Sequence, residues 1–540
     1  MAAMMLTQGG LKCALLEAGP PINPIKDYKE HIWPYELTYR GWGPGYSFNK
    51  PYVDEFNAHL GSWNLKGEPY TVAEGQKFMW FRSRVLGGRT NIWARIALRF
   101  AAYDFKPHST DGAGTDWPIS YEDVAPYYDR VERLIGVFGN RDGVSTLPDG
   151  IYQPAPAPRC YERLVARGCE KLKIPVIAMR NAIITQLHDG RAPCHYCAQC
   201  SRGCVTASRF SSSQVLIPKA VNTGRLELIT NAMAREILTD AEGRCTGVSY
   251  VDRTDRREYQ VRARAVVVAG GALESTRLLL NSRSPRFPGG LANSSGVLGR
   301  YVTDTVGFLM TAYLPQLMGR KIENEDGISG GHLIIPWWLQ EEKGRNFRRG
   351  YHIEMFGGAE MGSVTRTGRL AALIHDGYGS DLKKHARELF GSTFGFSGRG
   401  EMIPNEKSWV EIDPNTIDAY GIPVLRIHWD WGEEEHAMVR HMEQTFEELI
   451  DAAGGRVLSR RNGISAGGEI LHELGTARMG SEPRTSVLNA FNQAHDVKNL
   501  FVVDGAAFPS NPEKNPTLTI LALSMRASEY LLEHANRGKL

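Results

Sequence analysis

Three short apolar stretches, each closed by a turn of acidic or small residues, set the tightest limit on what this chain can fold into. Residues 11–16 (LKCALL) read as a strand that ends on Glu17-Ala18-Gly19-Pro20. Residues 2–7 before them read as the end of a helix, with Gly9-Gly10 as its cap. In the middle, residues 263–282 (ARAVVVAGGALESTRLLLNS) give a β-branched strand at 266–268 and a tight turn at Ala269-Gly270-Gly271-Ala272. A helix with an apolar face then starts at Glu274. Near the end, residues 499–503 read as a strand followed by Asp504-Gly505, and Asn515-Pro516-Thr517 opens an apolar helix over 518–532. Strand, tight turn and helix at distant points of one chain are the pattern of a parallel sheet wound with helices.

The first of these stretches carries a chemical signal. The second strand of a dinucleotide-binding βαβ unit ends on a carboxylate that takes the adenosine ribose hydroxyls. An ordinary surface Glu at a strand end gives the same letters. The acidic residue lies about 20 residues after the glycine fingerprint, and counting back from Glu17 passes Met1. The first strand and the G-x-G-x-x-G loop are therefore expected to be missing from the chain as written. That loss is expected to weaken cofactor binding and to leave neighbouring strand groups unpaired.

Composition narrows the class. In 540 residues, 63 Lys+Arg stand against 60 Asp+Glu, a net charge of +3 that gives no argument for nucleic acid. With 42% apolar and 23% charged residues, a disordered tail, a coiled coil and a collagen are excluded. No apolar run approaches the about 18 residues of a membrane span, and the N-terminus does not read as a secretory leader. The chain as written is therefore expected to be cytoplasmic.

Between about 310 and 465 the pattern alternates strands (330–339, 350–356, 409–413) with a helix (433–453). Residues 226–237 and 247–251 alternate like the two strands of a hairpin. Trp337, Trp338, His352, Trp409, His428 and Trp429 recur in the middle region, which suits sugar stacking and equally suits a sheet core.

The run CHYCAQCSRGC spaces Cys194, Cys197, Cys200 and Cys204 as C-x2-C-x2-C-x3-C. This is the bacterial ferredoxin spacing without its following Pro, Val205 standing there instead. Three readings stay open. One is an iron–sulfur cluster. Another is structural zinc, which usually draws on two separated pairs. The third is reduced thiols or one disulfide in a loop. A cluster argues for a dehydrogenase with a protein electron acceptor, and no metal argues for oxygen or a quinone as acceptor.

Four blocks carry a resemblance over nearly the whole chain. RVLGGRTNIWARIALR (84–99), DWPISYEDVAPYYDRVERLIGVFG (116–139), HELGTARMG (472–480) and NLFVVDGAAFP…NPTLTILAL (499–523) resemble the glucose–methanol–choline (GMC) flavin oxidoreductases. The similarity is greatest to the sugar-oxidising branch of pyranose oxidases, C-glycoside 3-oxidases, glucoside 3-dehydrogenases and gluconate dehydrogenases. The resemblance implies an α/β fold: a discontinuous Rossmann-like FAD domain (1–309 and 466–540) and an α+β substrate domain on a mainly antiparallel sheet (310–465). It implies His472 as the base and Asn515 as the side chain that orients the substrate hydroxyl. It implies FAD contacts from Glu17, Arg84, Gly87, Gly88, Thr90, Asn91, Ala272, Asp504, Gly505, Pro516 and Thr517. Pyranose oxidases bond FAD through a His just before the signature Trp. Ile92 stands there, so FAD is expected to be non-covalent.

The activity implied is oxidation of a pyranose C3 or C2 hydroxyl to a keto-sugar by hydride transfer to flavin N5. Gluconate or another polyol acid is the alternative donor. A flavin-free binding or scaffold subunit is the alternative from another class. Some relatives pair with a small chaperone or export subunit and pass electrons through a cysteine-bound cluster to a cytochrome c. Such partners, and a periplasmic location reached through one of them, are expectations of the resemblance.

Overall fold

The computed structural model describes residues 1–32, 36, 63, 65–321, 327–359 and 378–539, and shows a mixed α/β protein. The three apolar stretches do become strands. Cys13–Leu16 pairs in parallel with Leu226–Ile229, and Val266–Val268 pairs in parallel with Leu500–Val502. The last pairing joins segments far apart in sequence. Its register puts Val266 beside Leu500, so two β-branched and apolar rows close on each other. The helix Ala2–Gln8 lies against the helices Ser212–Val221 and Thr517–Asn536. Leu6, Phe501, Val503, Ala527 and Leu531 share the apolar cluster behind it. Gly9 is needed there because a Cβ would run into the Leu532 side chain.

Two strand expectations are corrected. Residues 226–237 do not form one hairpin strand. Leu226–Ile229 joins the parallel sheet, left-handed Asn231 (φ 57°) turns the chain, and Ala232–Thr239 starts an antiparallel sheet with Cys245–Asp252 and Glu258–Arg262. In 330–339 only Leu333–Ile335 is strand. Left-handed Gly330 stands ahead of it and Pro336, with no N–H to give, follows it.

The middle of the chain builds a six-stranded antiparallel sheet in the order Arg456–Arg460, Val306–Tyr313, Thr393–Gly400, Tyr351–Gly357, Leu333–Ile335, Ile177–Ala178. Position 310 lies inside the strand Val306–Tyr313. Residues 322–326 and 360–377 of the expected 310–465 region are outside the described residues.

The helix Glu433–Ala452 covers one face of this sheet. It sits close because Gly398 and Gly400 leave room for Met442 and Met438, whose sulfurs would meet an added Cβ. Period-two alternation then sorts the neighbouring strand. Tyr351, Ile353 and Met355 point at the helix, where the Tyr351 hydroxyl meets His441 at 2.8 Å and Thr445 at 3.0 Å. His352 and Glu354 must point to the opposite face. Trp337 packs on Tyr351 and Phe347 in the helix-side core, which makes it a core residue. A second, five-stranded sheet runs Leu474–Thr476, Arg300–Thr303, Trp409–Ile417, Pro423–His428, Thr71–Val72. Among the described residues no helix is long and apolar enough to cross a membrane.

Candidate active site

His472 lies between Leu471, held at a left-handed φ of 68°, and the strand Leu474–Thr476. The Asp304 carboxylate fixes this backbone, accepting the N–H of His472 at 2.9 Å and of Ile470 at 3.3 Å. Burial, and Glu473 nearby, push Asp304 up to about 7. The His472 ring meets the Thr305 hydroxyl through Nδ1 at 2.9 Å. Burial first, then the Arg399 and Arg89 guanidiniums, lower His472 to about 3, with Glu354 acting in the opposite direction. The imidazole is therefore neutral at ordinary pH, with one ring nitrogen protonated and the other an acceptor.

Asn515 sits just before the helix Thr517–Asn536 and sends its Nδ2 to Glu354 Oε1 at 3.2 Å. The same carboxylate takes Arg399 at 3.2 Å, and His352 Nε2 lies 3.5 Å away. His352 and Arg399 are cross-strand partners on the open face of the six-stranded sheet. Thus Asn515 bonds directly to Glu354, and the charge of the same carboxylate is felt at His472. Burial alone would raise the pKa of Glu354. Arg399 and His352 outweigh it and hold the group well below the usual carboxylate range. Sequence reasoning missed Glu354, Arg399, Asp304 and Thr305. The available signal was the placing of polar residues at 352 and 354 in an otherwise apolar period-two strand.

The implied flavin contacts lie in turns and helix starts drawn from distant parts of the chain. The turn Gly88–Asn91 follows left-handed Gly87 (φ 88°), whose added Cβ would strike Ser213. From this turn Arg89 reaches Glu473 at 2.7 Å and the Leu471 carbonyl at 3.1 Å, tying the glycine turn to the His472 loop. Asn91 is a structural clasp. Its amide donates to the Leu86 and Gly88 carbonyls, and its oxygen accepts from Tyr28 and Ser213. Thr90 closes onto the Gly87 carbonyl at 2.5 Å. Arg84 is engaged by carboxylates, pairing with Glu68 at 2.7 Å and with Glu274.

Glu17 folds back to accept the Gly19 N–H at 2.8 Å. Burial outweighs this bond and the nearby Arg84 and Arg253, and pushes its carboxyl up to about 7. Asp504 accepts the Gly271 N–H at 2.8 Å, the Ser275 hydroxyl and the Ala506 N–H at 2.9 Å. It thereby joins the start of the helix Ala272–Asn281 to the turn Gly505–Ala507. An added Cβ at Gly88 or Gly271 would meet nothing within 4 Å. Both backbones thus face open space, as a flat ligand requires. Pro516 and Thr517 start a 20-residue helix whose first amides have no partner within the helix.

The cysteine run forms a separate loop. Left-handed Tyr196 and Ala198 turn the chain between cysteines, and Cys200 opens a short 3-10 turn. All four thiols are free. Burial first, and then the other cysteines, push Cys194 and Cys197 up to about 12. Arg209 is fully buried beside Cys200 and Cys204, with its Nε and Nη1 unpartnered. A buried cation with orphaned donors next to thiols fits an anionic group held by those sulfurs.

Family models described as GMC oxidoreductase match residues 3–287 and 404–524. The chain is similar to the 2-methyl-1,2-propanediol dehydrogenase of Mycolicibacterium austroafricanum, 31% identical over 98% of this chain and 92% of that protein. It is similar to the fructose dehydrogenase large subunit of Gluconobacter japonicus, 27% identical over 100% of this chain and 96% of that one. Among solved structures, a variant formate oxidase from Aspergillus oryzae RIB40, studied for its FAD modification, superposes with a TM-score of 0.65. Identity is 13%, over 100% of this chain and 96% of that one.

Proposed function

The chain belongs to the GMC oxidoreductase family and is an FAD-dependent oxidoreductase of CH–OH donors, and from that premise we propose that its donor is a neutral sugar or glycoside, oxidised at a ring hydroxyl to a keto-sugar. A neutral His472 under the charges of the Glu354–Arg399 pair, with Asn515 bonded to the same Glu354, carries this reading. Neutral His472 takes the hydroxyl proton on its free nitrogen while Asn515 orients that hydroxyl. Glu17, Gly87, Gly88, Ala272, Asp504, Gly505, Pro516 and Thr517 line the space for FAD, with Thr90 and Asn91 shaping the glycine turn. When bound, FAD supplies the hydride acceptor. Ile92 offers no nucleophile, so the cofactor is held without a covalent bond.

The electrostatics favour a neutral donor over gluconate. Arg399 and Arg89, two guanidiniums that act on His472, are already paired with Glu354 and Glu473. Of these two cations neither is left unpaired to meet a carboxylate substrate entering there. In the same proposal, Cys194, Cys197, Cys200 and Cys204 hold an iron–sulfur cluster, and Arg209 balances its charge. The electron acceptor is then a protein such as a cytochrome.

An anaerobic absorption spectrum tests both parts. Flavin bands should bleach with D-glucose or methyl β-D-glucoside and not with D-gluconate. Bleaching by gluconate alone would overturn the neutral-donor reading. Protein purified without oxygen should contain iron and acid-labile sulfide, both lost in Cys200→Ser. Iron-free protein with full flavin would overturn the cluster.

A further inference from the structure

Asn515 offers a primary amide whose two ends differ completely in chemistry, and one end is spoken for. Its Nδ2 faces Glu354 Oε1 at 3.2 Å, and its Oδ1 is buried with no partner. Glu354 is held ionised by Arg399, so it can only accept hydrogen bonds. Turning the amide over would set its oxygen against a carboxylate, so the NH2 end must face Glu354. We propose that Glu354 is a positioning residue that locks the Asn515 amide, leaving Oδ1 as a fixed acceptor and one N–H as a donor on the substrate side. This rests on the sugar-oxidising reading above.

The consequence concerns specificity. The hydroxyl being oxidised carries one proton, and His472 takes it. The remaining Asn515 N–H suits the oxygen of that hydroxyl. The fixed Oδ1 needs a second proton donor, and an adjacent hydroxyl supplies one. Asn515 therefore reads a vicinal diol. A buried acceptor left empty by a substrate lacking the second hydroxyl carries its full desolvation penalty. A site built to bond a hydroxyl discriminates strongly against its absence. His352 belongs to the same device: its Nε2 points at the shared carboxylate oxygen and its Nδ1 is buried without a partner.

The test compares D-glucose with its single-deoxy analogues at C2, C3 and C4, following flavin bleaching by anaerobic stopped flow. In the holoprotein, removing the hydroxyl next to the oxidised carbon should lower kcat/KM at least 100-fold. In Glu354→Gln, whose side chain can face either end of the amide, that penalty should shrink below 10-fold while flavin content is unchanged. Undiminished discrimination in Glu354→Gln overturns the proposal. A second readout needs no turnover and no variant. Neutron diffraction of deuterium-exchanged holoprotein crystals should place both amide deuteriums on the Asn515 atom nearest Glu354, and an oxygen there overturns the proposal. If no sugar bleaches the native flavin, the sugar reading fails, and diffraction still decides the orientation of the amide.

Discussion

At the scale of single residues, burial governs the chemistry. His472 is neutral because taking a charged imidazole out of water is costly and two guanidiniums lie nearby. A base must be deprotonated to act, so His472 itself limits activity only as pH drops through about 3. The kcat/KM for flavin reduction should therefore show no histidine limb between about pH 5 and 8. A limb near 6.5, from which only replacement of His472 removes it, would contradict the assignment. His472→Ala should slow flavin reduction by about 10²–10⁴-fold, the usual worth of a positioned base, with FAD still bound. Legibility differed among the three polar residues at the site. His472 and Asn515 sit in recognisable sequence blocks. Glu354 does not, because a lone acid in a strand reads as a surface residue until its strand is placed.

At the scale of elements, the turns decide more than the strands. Asp504 accepts from Gly271, Ser275 and Ala506, so one carboxylate joins the start of the helix Ala272–Asn281 to the C-terminal strand's turn. Replacing it by Asn removes one acceptor oxygen and strands a buried N–H. Asp504→Asn should lower the unfolding free energy by about 1–3 kcal/mol, measured by denaturant titration, and should reduce the flavin retained on purification. The sequence made the Asp504-Gly505 turn visible, and the strand–turn–helix at 263–282 equally so. It misread 226–237 because alternation does not reveal that Asn231 breaks the run into strands of two different sheets.

At the scale of the whole molecule, distant segments meet in a buried charge cluster. Lys514 sits 2.8 Å from both Asp104 and Glu513, and Arg349 lies 3.6 Å from Glu401. Lys514 takes up the space between carboxylates, so the cluster is a structural knot linking the beginning, middle and end of the chain. Burial dominates at Glu401 and pushes it up to about 8, with Asp104 and Glu513 adding to the shift. The sign follows. The folded state keeps this proton up to about pH 8, while an unfolded Glu loses it near 4.3. Its contribution to stability therefore declines as pH rises through that window. Glu401→Gln, which has no proton to lose, should gain in melting temperature over the native protein from pH 5 to pH 8, and the gain should flatten above. A constant difference across that range would refute the shift.

The sequence by itself determined the local chemistry: where strands turn sharply, which helix begins at Pro516-Thr517, which histidine and asparagine stand in family blocks, and that four cysteines lie close along the chain. These follow from spacing, because turn geometry, helix starts and loop ligands depend on neighbours in the chain. Only the tertiary structure decided that Val266–Val268 lies beside Leu500–Val502, that Arg89 ties the glycine turn to the His472 loop, and that Glu354 is the carboxylate that Asn515 bonds. The reason is physical. Each of these joins segments far apart in the chain, and nothing local to either partner encodes that meeting.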